Sequence, residues 1–79
     1  MAKTTTIIVK QNGKPAKGAI MTVGHPFNKR FTLGADGKVS ANLADGFVTV
    51  TNIRIVTEHS QMGISGFEIV AGETYEIEV

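Results

Sequence analysis

Few residues in this chain could do chemistry, and the first candidates are two Asp-Gly pairs. Asp36-Gly37 and Asp45-Gly46 lie nine residues apart in GADGKVSANLADGFVTV, residues 34–50. Two carboxylates brought together could divide general acid and base work between them. Between these two, however, Val39, Ala41 and Leu43 alternate with Lys38, Ser40 and Asn42, the pattern of a half-buried strand. At about 3.3 Å per residue, that strand holds the carboxylates roughly 20 Å apart. Paired-carboxylate hydrolysis needs about 5 to 9.5 Å. The pairs therefore read as two turns framing one strand, with Asp bonding its own backbone and Gly supplying the left-handed conformation. Their flanking residues do not match, so they are not an internal repeat.

Other catalytic patterns fail on spacing. His25 and His59 are the only histidines and fall in separate loops. A metal would need a third ligand such as Glu58 or Asp36, and no ligand spacing is present, so no metal is expected. Ser40, Ser60 and Ser65 are candidate nucleophiles, but Gly63-Ile64-Ser65-Gly66 is not a nucleophile elbow. The glycines stand singly at turns rather than in a phosphate-cradling run. No cofactor and no enzymatic activity are expected.

Recognition chemistry is better represented. HPFNKR (25–30) puts Phe27, Lys29 and Arg30 on one loop, which suits a partner contact. It also suits a loop whose Phe27 folds back as a lid on the core, the favoured reading. Ile8, Ile20, Phe47 and Val70 fall on the phase opposite to the inward residues of their strands. Burying four such side chains would contribute several kcal/mol at about 25 cal/mol per Å². They mark either a docking or oligomer face, or residues covered singly by strand ends.

Length and charge narrow the setting. Seventy-nine residues make one domain, and with no cysteine no disulfide can staple it. A net charge of +1 does not suit a nucleic-acid binder. Residues 1–40 carry seven Lys and Arg against Asp36 alone, a net +6. Residues 41–79 carry Arg54 against six acids, a net −5. If the first and last strands are neighbours, Lys3 and Lys10 face Glu76 and Glu78 across them. The alternative is a head-to-tail contact between copies, or with a charged partner. No apolar run approaches the roughly 20 residues of a membrane span. No signal-peptide core follows Met1, so synthesis in the cytoplasm without a leader is expected.

The elements that position these residues are strands. Thr, Val and Ile dominate, glycine recurs about every ten residues, and no helical period is sustained. An all-β, antiparallel sandwich of about seven strands with no helix is predicted. Strands are expected at 5–11, 19–23 and 31–33, and across 39–43. Ala19, Met21 and Val23 should face inward. Val48 and Val50 lie on one phase and Ile53 and Ile55 on the other, so a bulge or change of sheet is expected near Asn52. Residues 56–66 read as the longest irregular connection. Phe67 and Ile69 begin another strand, and Tyr75, Ile77 and Val79 close the chain facing inward.

The segments NGKPAKGAIMTV (12–23), LGADGKVSANLADGFVTV (33–50) and FEIVAGETYEIEV (67–79) carry a family cadence. They resemble the transthyretin-like, carboxypeptidase-regulatory-like β-sandwich, an immunoglobulin-like fold, over about three quarters of the chain. Thr32, Asp36, Gly37, Leu43 and Gly46 fall on that family's turn positions. The resemblance implies a non-catalytic role in binding, folding or assembly, through a protein partner or self-association. It hands over no catalytic residues. Relatives sit in larger surface proteins, which makes a carbohydrate- or ligand-binding module of an adhesion system the alternative. The leading expectation is a non-enzymatic structural or protein-interaction module that presents one apolar sheet face and charged loops to a protein partner. By analogy with self-standing β-domains, a virus capsid or tail accessory protein of decoration type is one setting for it.

Overall fold

Eight strands and no helix form in the computed structural model, which describes Met1 to Val79. They are β1 (Ala2–Gln11), β2 (Lys14–Pro15), β3 (Ile20–Val23), β4 (Lys29–Thr32), β5 (Lys38–Ala44), β6 (Val48–Val56), β7 (Gln61–Val70) and β8 (Thr74–Glu78). One sheet is built on β1. Along one side β5 runs antiparallel from Ala2↔Ala44 to Ile8↔Lys38, and β2 continues that side at Lys10↔Pro15. On the other side β8 runs parallel, from Thr6↔Thr74 to Lys10↔Glu78. The second sheet is antiparallel throughout, in the order β4-β3-β6-β7. Ten-residue strands of about 3.3 Å per residue account for the 37 Å long axis.

The all-β sandwich is as the alternation predicts, and one pairing direction differs. Five strand pairs are antiparallel, but β8 is parallel to β1. The turn before β8 crosses from the second sheet to the first instead of folding into a hairpin. Thr5 Oγ1 holds that crossing by accepting the Gly72 N–H at 3.0 Å. Turn chemistry marks where the chain reverses, not which layer it enters next.

The layers meet on the inward residues of both sheets. Val9, Met21, Ile53 and Ile55 are the largest fully buried side chains. Ala19 and Val23 join Met21 on the inner face as predicted, and Ile77 faces inward from β8. Val39 and Leu43 also face inward, but they remain only half-buried.

The phase change near Asn52 lies on a different strand from the one expected. β6 keeps one phase: Thr51, Ile53 and Ile55 are buried, while Val48 and Val50 face solvent at 54% and 58% exposure. The extra residue sits in β7, where Thr51 faces Phe67 but Ile53 faces Ile64. Gly66, at φ 70°, forms the bulge. It carries the inward set of β7 from Met62 and Ile64 to Phe67 and Ile69. The expected irregular stretch 56–66 therefore shrinks to a turn at 57–60. There the Thr57 hydroxyl accepts the N–H groups of His59 and Ser60, at 3.3 and 3.0 Å.

Gly37 closes the turn before β5 at the tightest backbone approach of any glycine in the chain. Its carbonyl accepts the Val9 N–H at 2.8 Å. A Cβ there would lie 2.6 Å from Val9 O and 2.9 Å from Ala16 N, both backbone atoms, at φ 64°. At Gly66 nothing lies within 4 Å of the equivalent position. We therefore expect Gly37→Ala to cost about 3 kcal/mol or more, and Gly66→Ala about 1 kcal/mol. Urea unfolding of the two variants measures the difference, and equal losses would contradict this account of the turn.

Candidate functional site

The backbone bonds of β1 show which groups the sheet leaves free. Val9 donates to Gly37 and accepts from Ala16, whereas Thr6 donates to Glu73 and Lys10 accepts from Val79. Odd residues of β1 thus aim their backbone groups at β5 and β2, and even residues at β8. From the register, Val39, Ala41 and Leu43 return those bonds. The N–H and C=O groups of Ser40 and Asn42 therefore point away from the sheet. On the neighbouring edge, Leu33 bonds both Ala19 and Gly18, so Phe31 and Lys29 face β3. Arg30 and Thr32 direct their backbone groups outward.

Edges β4 and β5 lie on the same side of the sandwich, with a groove between them of about 300 Å³. Its floor is Ile7, Met21 and Val23, and its walls are Phe27, Phe31, Val39 and Leu43. This gap explains why the inward residues of β5 are only half-buried. Lys29 lines the rim, and Arg30 and Lys38 lie on the same two edge strands. None of these three cations has a carboxylate within ion-pair distance.

The opposite side, where β7 meets β8, is closed. The Val70 N–H points outward from β7 and donates to the Tyr75 hydroxyl at 2.8 Å. The Tyr75 ring meets Phe67 edge-on, with centroids 5.2 Å apart. The free backbone groups of β8 belong to Thr74, Glu76 and Glu78, because the odd residues bond β1. Glu68, Glu73 and Glu78 have no cation within ion-pair distance. The charge asymmetry of the sequence thus becomes a cationic open side and an acidic closed side. Cross-strand neutralisation accounts for only part of it. Lys10 meets Glu76 at 3.3 Å, whereas Lys3 meets Asp45 rather than β8, also at 3.3 Å. Both pairs are largely exposed and contribute little.

The sequence candidates do not form a single face. Phe27 is half-buried against the core and meets Phe47 edge-on at 6.0 Å, so the loop folds back. Phe47 shares the inward phase of Thr49 and Thr51, which corrects its outer-face assignment. Ile8 is half-buried on the outer face of the first sheet, between Lys38 and Glu76 in register. Ile20 pairs with Val56 near one end of the second sheet, and Val70 with Val48 near the other. Val48 and Val56 are eight residues apart, about 27 Å along the strand. These apolar residues are therefore scattered over small patches. Phe27, in the groove wall, and Lys29 and Arg30, on the open edge, are the sequence candidates that reach the groove side.

Sequence reasoning missed Phe31, Val39 and Leu43 as groove walls, because alternation shows which side chains point inward but not whether the opposite layer reaches them. His25 and His59 are exposed in separate loops, and no three His, Asp or Glu side chains converge. Asp36 and Asp45 lie beyond opposite ends of β5, as the turns require. Asp36 Oδ1 accepts the Lys38 N–H at 3.2 Å. No helix is long and apolar enough to cross a membrane. No protein-family model matches the chain, and no curated protein matches it significantly.

Tyr75→Phe keeps the ring against Phe67 and removes only the acceptor for Val70. The expected loss is about 1 to 2 kcal/mol. Faster amide exchange at Val70 should accompany it, and unchanged exchange there would show that the hydroxyl does not protect this edge.

Proposed function

We propose that this chain is a non-enzymatic structural or protein-interaction module, an immunoglobulin-like or transthyretin-like sandwich that engages protein through its open side. One observation carries the reading: both sheets end there on unpaired strands, with an apolar groove between them. Free edges are normally blunted by very short strands, proline, bulges or charged side chains. The four-residue β4 carries Lys29 and Arg30 and β5 begins on Lys38, but Ser40, Ala41 and Asn42 in the middle of β5 carry no such device. An added strand would gain main-chain hydrogen bonds along β5 and place alternate side chains in the groove. Lys29, Arg30 and Lys38 favour an acidic partner. A capsid or tail accessory role, with the domain incorporated in a virus particle, is an assembly setting that such a surface suits.

A carbohydrate- or ligand-binding role is the second reading, favoured by Phe27 and Phe31 in the groove walls. Amide and aromatic NMR signals distinguish the two. Titration with a short extended peptide of alternating Glu and Ile should shift Arg30, Thr32, Ser40 and Asn42. Oligosaccharides should leave Phe27 and Phe31 unmoved. If the sugars shift the two phenylalanines and the peptide shifts neither edge, the second reading replaces the first.

A further inference from the structure

The two sides of this sandwich complement one another, and we infer that the occupant of the open side is the closed side of a second copy of the chain. This rests on the protein-interaction reading above and names its partner. The support is directional, electrostatic and steric.

Direction comes first. β8 is parallel to β1 and β5 is antiparallel to it, so β5 and β8 run antiparallel. Three successive reversals likewise make β4 and β7 antiparallel. A second copy placed beside the first in the same orientation brings its β8 against β5 and its β7 against β4. The first sheet then continues antiparallel across the contact, and β7 lies antiparallel beside β4 with its Val70 N–H already held by Tyr75. The free backbone groups also match. On β5 they belong to even-numbered residues, and on β8 to Thr74, Glu76 and Glu78. Opposing even residues form hydrogen-bonded pairs whose side chains share one face. Aligning Lys38 with the partner copy's Glu78 places Ser40 opposite Glu76 and Asn42 opposite Thr74. On the other sheet, Lys29 and Arg30 on β4 and Glu68 on β7 are the charges without an ion pair on the edges that meet.

The apolar parts follow the same alignment. The closed side carries the Phe67–Tyr75 pair between its edges, and the open side carries the groove. The contact is heterologous, with different surfaces on the two copies, so it propagates rather than ending at a dimer.

Sedimentation velocity tests this with the intact chain. The wild type should form species that grow with concentration and fall apart as salt rises from about 20 to about 500 mM. Lys38→Glu and Glu78→Lys should each weaken association about tenfold, and an equimolar mixture should restore it, because each then meets an opposite charge. Ser40→Pro should abolish association while keeping the native circular dichroism spectrum, since within the chain it removes only an outward N–H and the exposed hydroxyl contact with Thr6. Association indifferent to all three substitutions overturns the inference, as does a dimer that grows no further. A monomer at every concentration overturns it too. If that monomer still binds the alternating Glu-Ile peptide at Ser40 and Asn42, the interaction reading stands with a different partner. If it does not, both fall.

Discussion

The first sheet depends on one strand serving three others. β1 hydrogen-bonds β5 and β2 through its odd residues and β8 through its even ones. Its ten residues are Thr-, Ile- and Val-rich, and such β-branched residues fit a pleated surface that is half-buried. The odd residues Thr5, Ile7 and Val9 also supply the buried face, so the same parity decides core and pairing partner together. A one-residue slip of β1 would expose Val9 and turn Ile8 inward. The Asn12-Gly13 turn fixes the register at its end, with both residues at positive φ, at 54° and 76°.

With so much pairing invested in the middle strand, the two flanks differ. On one flank Tyr75 crosses between layers and occupies the outward N–H of β7. On the other no side chain does so, and the layers stand apart over an apolar floor. Small sandwiches have little interior to spare, and here only 14 of 79 residues are buried. Part of the potential core is left wet at the edge of β5, where a neighbouring strand would cover it. The same edge carries cations without an ion pair, and the covered flank carries Glu68, Glu73 and Glu78 without one, although Glu78 accepts the Gly13 N–H at 3.2 Å.

Much of this was legible in the residues. The alternation through Ala19, Met21 and Val23, and through Val39 and Leu43, fixed strands and faces correctly. Asp36 and Asp45 read correctly as turn residues, and the charge asymmetry between the halves foreshadowed the two flanks. Three features were hidden for physical reasons. Thr49 and Thr51 take the inward positions of β6, and threonine has the shape of valine but is polar, so Val48 and Val50 suggested a change of phase near Asn52 that β6 does not make. Thr51 is 3% exposed, with its hydroxyl directed to the Asn52 carbonyl at 3.5 Å. The bulge belongs to β7, where two glycines disguise a continuous strand as a loop. The groove is a property of layer spacing, which no single strand encodes.

The parallel alignment of β8 with β1 has a mechanical side. Lys10, near the end of β1, stands beside Glu78, so the chain enters at one pole of the long axis and leaves at the other. Tension applied through the two ends would slide β8 along β1. Every hydrogen bond of that ladder would then bear the load at once, instead of opening one after another as in an unzipped hairpin. A pulled domain fails at a rate set by its unfolding barrier rather than by its equilibrium stability. This arrangement gives a thin, disulfide-free sandwich a means of resisting stretch that its modest core would not supply.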